Sequence, residues 1–291
     1  MDKHRSEQYN PTPAGIAPGA RNQANTRSTP ETGGKAETGI TPDSKGQPKS
    51  RTASGRGTLY LIPSSLGEKD LHTVWPAGHH DLINRLHFFI VENIRTTRRF
   101  LKRAGYHTDF KHVQFFLLDK HRSEEEYTVF LQPALEGHSI GLFSEAGCPG
   151  IADPGQRIVA RAHQTGIPVK PLTGPSSILL ALMASGLNGQ QFFFHGYLPI
   201  QKAGRSKKIR VMEEESRRSG ATQVFMETPF RNNALFNDLL KVCRPDTLIC
   251  IAADLTMETE FIKTQSVAGW RSEGLPGLHK RPAIFLLLHR D

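Results

Sequence analysis

The sequence has few cysteines and no long apolar run. Its 291 residues include only Cys148, Cys243 and Cys250, too few for a disulfide framework in a chain of this length. None of the three has the Cys or His spacing of a zinc site, so the sequence predicts no bound metal. No apolar stretch approaches the about 20 residues that span a bilayer, so it also predicts no membrane segment.

Three widespread catalytic signatures are also missing. The chain contains no GxGxxG, no GxxxxGK[ST] and no HExxH. Their absence argues against a dinucleotide enzyme of the Rossmann type, a P-loop nucleotidase and a zinc peptidase.

Apolar residues are scarce at the start of the chain. Residues 1–56 contain no Leu, Val, Phe or Trp and are rich in Pro, Gly, Ser and Thr. Such a segment buries too little apolar surface to offset its ordering entropy, so we expect a disordered basic tail. It lacks the apolar centre of a secretory signal, which favours a cytoplasmic protein. Both a solvated extension and an arm that binds nucleic acid fit this composition.

The remaining sequence alternates short apolar runs with amphipathic stretches. Runs such as "TLYLI", "FFIVE", "VQFFLL" and "SIGLF" each precede a helical or loop-helix pattern, and the alternation continues to the last strand, "PAIFLLL". This pattern predicts an α/β fold of two domains, residues 57–175 and 176–291, that face a ligand cleft. The aromatic run "QFFFHGYL" is interpreted as a buried strand rather than as a surface for stacking bases.

Loops rich in Gly, Pro and Ser follow several of these strands. They are "IPSSLG" (62–67), "SEAGCPGIADPG" (144–155), "LTGPSS" (172–177) and "METPFR" (226–231). In an open α/β sheet, ligands bind beyond the carboxyl ends of the strands. Glycine there lets backbone approach a ligand closely, and proline fixes the loop shape. Each loop alone is compatible with a simple turn, but together they are suited to hold a flat, polar molecule of nucleoside size.

The same segments resemble the tetrapyrrole (corrin/porphyrin) methylase superfamily. "SEAGCPGIADPG" is similar to the superfamily pattern SDAGxPxISDPG, and "LTGPSSILLALMASGL" is similar to VPGPSALLAALSASGL. "VENIRTTRRFL" and "VFMETPFR" resemble AEDTRHTRKLL and VFYESPHR, from the branch that methylates a cytidine 2′-hydroxyl in small-subunit ribosomal RNA. The matches occur in order from Gly57 onward.

The resemblance implies a two-domain methyltransferase that binds S-adenosylmethionine in the cleft and forms a homodimer. On the cofactor side it implies contacts by Ala146, Gly147, Cys148, Ile151, Ser176, Ser177, Met226 and Glu227. On the substrate side it implies Pro63 and Ser64. Basic side chains that could meet phosphates of ribosomal RNA or of the small ribosomal subunit are Arg95, Arg98, Arg99 and Arg231.

A ribose hydroxyl is a poor nucleophile, so a nearby base or hydrogen-bond acceptor would assist its methylation. Glu92, at the end of the second predicted strand, is the first candidate for this role, and Glu227 is the second. The chain also departs from the branch pattern, because Asn93, Ala253 and Met257 stand where the pattern has an acid, an arginine and a lysine.

Three functions therefore stay open at this point. The first is 2′-O-methylation of a ribose in ribosomal RNA. The second is methylation of a tetrapyrrole-like small molecule. The third is a non-catalytic relative that binds the cofactor or RNA without transferring a methyl group.

Overall fold

The fold is organised around two five-stranded sheets that follow one another along the chain. The structure, a computed structural model, describes residues 55–67, 71, 74–119 and 124–289. Residues 1–54 of the predicted tail lie outside the described residues. The described part of the chain belongs to one compact unit. Ordered contacts are already made by Arg56, whose guanidinium donates to the carbonyl of Thr165.

The first sheet is entirely parallel. Its strands, β1 to β5, are Leu59–Ile62, Phe88–Val91, Gln114–Leu117, Ile140–Phe143 and Val169–Pro171. They pair in the order β3–β2–β4–β1–β5. The intervening helices, α1 to α4, are Gly78–Ile83, Ile94–Arg103, Glu124–Leu135 and Gly155–Gln164. Because all strands run in one direction, the loops after β1, β2, β4 and β5 meet at one edge of the sheet.

Helices cover both faces of this sheet. On one face α3 and α4 contribute Tyr127, Leu131 and Ile158 to a buried apolar layer. On the other, α1 and α2 contribute Ile83 and Leu101 to a second layer. A parallel sheet buried on both faces reads as continuous apolar runs, which is why "SIGLF" and its neighbours were recognisable as strands.

The second sheet is mixed. Its strands, β6 to β10, are Phe192–Tyr197, Thr222–Met226, Leu248–Ala253, Phe261–Ser266 and Ala283–Leu288. The order is β6–β7–β10–β8–β9, with β6 and β7 parallel and the other three pairings antiparallel. The helices of this half, α5 to α8, are Ser177–Ser185, Lys202–Ser219, Asn232–Val242 and Val267–Glu273. The α/β prediction is confirmed, and the two sheets fall on either side of the predicted boundary between residues 175 and 176.

The interpretation of "QFFFHGYL" as a buried strand is wrong. β6 forms one edge of its sheet, where only one neighbouring strand can pair with it. Phe193 and Tyr197 expose 55% and 56% of their surface, and Phe192 exposes 38%. An apolar run alone cannot distinguish a central strand from an edge strand, because both fit the same sequence pattern.

Candidate active site

A cavity of about 830 Å³ lies where the carboxyl edge of the first sheet meets the second sheet. This volume is within the range of about 300–1,000 Å³ typical of ligand pockets. The structure brings all eight predicted cofactor residues to its wall: Ala146, Gly147, Cys148, Ile151, Ser176, Ser177, Met226 and Glu227. Glu92 also lines it, whereas Pro63, Ser64, Arg95, Arg98 and Arg231 do not.

The loop after β4 is held in shape by hydrogen bonds from its own side chains and from the loop after β1. Ser64 exchanges two backbone hydrogen bonds with Gly147, at 2.9 and 3.2 Å, and the Ser64 hydroxyl donates to the carbonyl of Ser144 at 2.7 Å. Gly147 has a φ of +72°, in the left-handed region that favours glycine. Ser64 therefore supports the cavity wall from behind rather than lining it.

Asp153 fixes the far end of the same loop. One carboxylate oxygen accepts from the backbone N–H of Gly150 at 2.8 Å and of Gly155, at the start of α4, at 2.7 Å. Burial raises the pKa of Asp153 above its usual value, while the two N–H groups oppose that shift. Burial, and then the nearby Asp153 carboxylate, raise the pKa of the Cys148 thiol. Cys148 is therefore a neutral thiol in the cavity wall, not a reactive thiolate.

Glu227 stands at the end of β7 with its side chain fully buried. Its Oε1 accepts from the Arg231 guanidinium at 2.6 Å and from the backbone N–H of Thr228 at 2.7 Å. Its Oε2 is buried and has no hydrogen-bond partner among the described residues. A buried carboxylate oxygen without a donor is costly, so this oxygen is a position where a ligand donor would be stabilising. Arg231 is occupied by this ion pair.

Two carboxylates border the cavity beside α2. The backbone N–H of Glu145 donates to Oε1 of Glu92 at 3.3 Å, and the Thr96 hydroxyl donates to Oε1 of Glu145 at 3.4 Å. Sequence reasoning singled out Glu92 but missed Glu145. The sequence signal that could have identified Glu145 is its position directly before Ala146 in the loop "SEAGCPGIADPG".

A second, smaller cavity of about 240 Å³ adjoins the first. It is lined by the loop after β1, including Ser64, and by one face of α2. Of the predicted substrate residues, Pro63 packs against Gly174. The Arg98 guanidinium lies over the rings of Phe110 and Phe115, 5.4 and 5.1 Å from their centroids.

Two of the departures from the family pattern have a structural explanation. Asn93 caps α2, and its side chain accepts from the N–H groups of Arg95 and Thr96 at 3.0 and 3.3 Å, as an aspartate would. The Met257 side chain packs against Gly67, where a Cβ would lie 2.6 Å from Met257 Cγ. This contact joins the loop after β8 to the loop after β1.

The pentapeptide "GHSIG" (137–141) has the GxSxG spacing of a serine-hydrolase elbow. That motif requires its serine on a sharp turn between a strand and the following helix. Ser139 instead precedes β4, and its hydroxyl accepts from the backbone N–H of Thr58 at 3.1 Å. The GxSxG spacing therefore does not mark a catalytic serine in this chain.

Across the part of the chain that the structure describes, no three His, Cys, Asp or Glu side chains are grouped as metal ligands. Within the same residues, no helix combines the length and apolar character needed to cross a membrane.

Comparison with protein families identifies the family to which the chain belongs. The family described as Tetrapyrrole (Corrin/Porphyrin) Methylases matches residues 59–268, more than half of the chain. The chain belongs to this family. It is a methyltransferase, and its methyl donor is S-adenosylmethionine.

Individual relatives agree with the family assignment of this methylase. A protein of Vibrio cholerae named "Ribosomal RNA small subunit methyltransferase I" is 30% identical over 239 residues, 81% of this chain and 78% of the relative. The protein of the same name in Pasteurella multocida is 32% identical over 215 residues, 74% and 72% of the two chains. Among solved structures, the methyltransferase CobJ has the same fold, with a TM-score of 0.55 at 16% identity over 80% of this chain and 94% of CobJ.

The residues of the cavity fit the cofactor of this methylase. S-adenosylmethionine carries an ammonium group and ribose hydroxyls, and the unpartnered Oε2 of Glu227 is a suitable acceptor for such a donor. Apolar side chains on the second sheet, including Ala252 and Ile284, offer a surface for a flat base. Gly147, whose positive φ favours glycine, adds no side chain to the cavity wall.

Proposed function

We propose that this methylase transfers the methyl group of S-adenosylmethionine to a ribose 2′-hydroxyl in small-subunit ribosomal RNA. The observation that carries the proposal is the convergence of the loops after β4, β5 and β7 on one cavity of about 830 Å³. The names of the Vibrio cholerae and Pasteurella multocida relatives support the choice of ribosomal RNA as the substrate. A net charge of +9 is compatible with a polyanionic partner. A ribosomal substrate is also consistent with a cytoplasmic protein.

In this proposal the cofactor is held by residues of both halves of the chain. Ala146, Gly147, Cys148 and Ile151 contact it from the first half. Ser176, Ser177, Met226 and Glu227 contact it from the second. The bound cofactor supplies a methyl group already activated on a sulfonium. The task of the protein is therefore to align the acceptor oxygen with this methyl group and to exclude water.

Glu92 accepts the hydrogen bond, and then the proton, of the acceptor hydroxyl. It borders the cavity and is fixed by the backbone N–H of Glu145. A positioned carboxylate raises the electron density on the hydroxyl oxygen as the new oxygen–carbon bond forms. Glu227 is less suited to this role because its buried carboxylate is already paired with Arg231.

The substrate RNA lies along the side of the molecule formed by α2 and the loop after β1. Pro63 and Ser64 shape that loop, and Arg95 and Arg98 are exposed on α2. Arg231 contributes from the second half while it remains paired with Glu227. These positive charges attract phosphates along the strand on either side of the acceptor.

We further propose that the protein is a homodimer of two-domain subunits, divided between residues 175 and 176. Apolar side chains are exposed on α5, on β6 and just beyond β6: Leu179, Met183, Phe192, Phe193, Tyr197 and Ile200. Large apolar side chains exposed on a folded protein are candidates for burial at an interaction surface. Phe193→Asp would convert a dimer into monomers in analytical ultracentrifugation, and a monomeric wild type would contradict this part of the proposal.

The test is transfer of tritium from labelled S-adenosylmethionine to unmodified small-subunit ribosomal RNA, free and in assembled subunits. A 2′-O-methyl group is identified by the resistance of the adjacent phosphodiester to alkali. Labelling of neither RNA substrate would overturn the proposal, and labelling of an added tetrapyrrole instead would favour the small-molecule alternative.

Calorimetry with S-adenosylhomocysteine separates catalysis from binding. The wild type is expected to bind, and Gly147→Trp is expected to lose binding because its side chain fills the cavity. Binding without methyl transfer to any acceptor would indicate a non-catalytic relative.

A further inference from the structure

The second cavity adjoins the cavity of about 830 Å³ in which we propose that the methyl donor binds, called the donor cavity below. The two cavities share part of one wall. Both are lined by Leu66, Ser144, Glu145 and Ala146. The outer wall of the second cavity is formed by α2, through residues that include Thr96, Arg99 and Arg103. A group bound there would therefore lie directly beside the acceptor position.

The charges around the second cavity are mainly positive. Helix α2 contains five basic residues and no acidic residue: Arg95, Arg98, Arg99, Lys102 and Arg103. Of these, Arg99 and Arg103 line the cavity. Arg99 is exposed and forms no ion pair with any residue that the structure describes. Arg98, one position earlier, is directed instead at the rings of Phe110 and Phe115.

One carboxylate, Glu145, belongs to the same lining, at the border with the donor cavity. The Thr96 hydroxyl donates to it. The second cavity therefore has a hydrogen-bond-accepting carboxylate on the side that borders the first cavity and two guanidinium groups on the side of α2. This polarity suits a ligand that presents a hydroxyl at one end and an anion at the other.

We propose that the second cavity binds the phosphodiester attached to the 3′-oxygen of the ribose that is methylated, through Arg99 and Arg103. This inference rests on the proposed function. Guanidinium groups recognise phosphate oxygens with paired hydrogen bonds. In RNA the 2′-hydroxyl and the 3′-phosphate are on neighbouring carbons of one sugar. Anchoring that phosphate therefore sets the position of the 2′-oxygen relative to the donor cavity.

The size of the cavity supports a small anion. Its about 240 Å³ falls below the range of about 300–1,000 Å³ of pockets that enclose drug-sized ligands. A phosphate with part of a sugar fits this space.

The experiment compares the double variant Arg99→Gln/Arg103→Gln with wild type in methylation of unmodified small-subunit ribosomal RNA at several salt concentrations. The slope of log kcat/KM against log salt is expected to become shallower by about 0.7, the value for one phosphate contact on a single strand. A slope difference of about 0.7 corresponds to a factor of about five for each tenfold change in salt, so the KM of the double variant at 0.1 M salt is expected to exceed that of wild type at least about fivefold, taking the two as equal when extrapolated to 1 M salt. The affinity for S-adenosylhomocysteine stays at the wild-type value, which also shows that the variant is folded.

Two further variants keep the test specific. Arg210→Gln/Lys241→Gln removes the same net charge from exposed positions on α6 and α7 that line neither cavity. It is expected to keep the wild-type slope. Arg99→Lys/Arg103→Lys retains the charge and is expected to recover most of the salt dependence, but not the full kcat, because an ammonium does not reproduce the paired hydrogen bonds.

An active wild type whose Arg99→Gln/Arg103→Gln variant keeps the slope and KM would overturn the phosphate assignment and leave the proposed function intact. Equal losses in this variant and in the Arg210→Gln/Lys241→Gln variant would also overturn it, since they would indicate a general charge effect. A wild type that binds S-adenosylhomocysteine but does not methylate RNA would overturn the proposed function itself.

Discussion

The contact between Gly174 and Pro63 allows a quantitative test of how the cavity is assembled. A Cβ at position 174 would lie 2.4 Å from Cβ and 2.6 Å from Cγ of Pro63. Carbon atoms prefer separations of about 3.5–4.0 Å, so the two segments would have to move apart by about 1 Å. Pro63 resists this movement because its carbonyl accepts from the Trp75 indole at 3.0 Å and the next residue, Ser64, is paired with Gly147.

Gly174→Ala is therefore expected to destabilise the protein by about 2 kcal/mol, within the usual cost of overpacking. For a domain of this size, that change lowers the melting temperature by about 4–8 °C. The Kd for S-adenosylhomocysteine is expected to rise as well. Ser176 and Ser177 follow Gly174 closely, so the displacement would move them relative to Gly147 across the cavity.

Gly189→Ala is the matched control, since no atom lies within 4 Å of a Cβ built at that position. Scanning calorimetry measures the melting temperature of each variant, and titration calorimetry measures its affinity. If Gly174→Ala and Gly189→Ala both behave like wild type, the loops after β1 and β5 are not held together by close packing, and the reasoning is wrong.

Two other predictions concern buried charge. Alkylation of Cys148 by iodoacetamide should be slow at pH 7 and still accelerate above pH 9. Asp153→Asn should speed the reaction at pH 7, because removing the carboxylate lowers the thiol pKa. A wild-type rate that levels off near pH 8 would contradict this. Asp238→Ala should cost about 3–5 kcal/mol in urea unfolding, because it leaves the buried guanidinium of Arg205 without its carboxylate. Glu214→Gln, which removes the carboxylate of the exposed pair with Arg217, should lower the free energy of unfolding much less than Asp238→Ala does; equal losses would show that burial does not matter here.

The cofactor residues that the family resemblance implied lie mostly after strands of the parallel sheet: six follow β4 or β5, and Met226 and Glu227 lie at the end of β7. The central strands β1, β2 and β4 are largely buried, and β1, β4 and β5 end in loops of small residues, so these strands and loops leave a local signal. The convergence of Gly147 with Ser176 could be anticipated because parallel strands end at the same edge. The exposure of two of the three β6 phenylalanines, Phe192 and Phe193, could not be predicted, because it depends on contacts with distant parts of the chain.

Other features depend on contacts that no local pattern encodes. β9, with the sequence "FIKTQS", is half-buried at every position and mostly polar, so it lacks the alternation that marks a strand. Arg98 and Arg99 are adjacent in a basic helix and look equivalent in sequence. They differ only in the folded protein, where Arg98 packs on the rings of Phe110 and Phe115 and Arg99 lines the second cavity.

The central position of β10 in the second sheet determines when that sheet can form during synthesis of the chain. The five strands of the first sheet are complete once the ribosome has passed residue 171, and they can pair while translation continues. β7 and β8 cannot be joined until residues 283–288 emerge, because β10 lies between them. Ala283 and Ile284 of that strand also line the donor cavity. A nascent chain would thus acquire a folded first half early, but the cavity that we propose for the methyl donor would not be complete before β10 had left the exit tunnel.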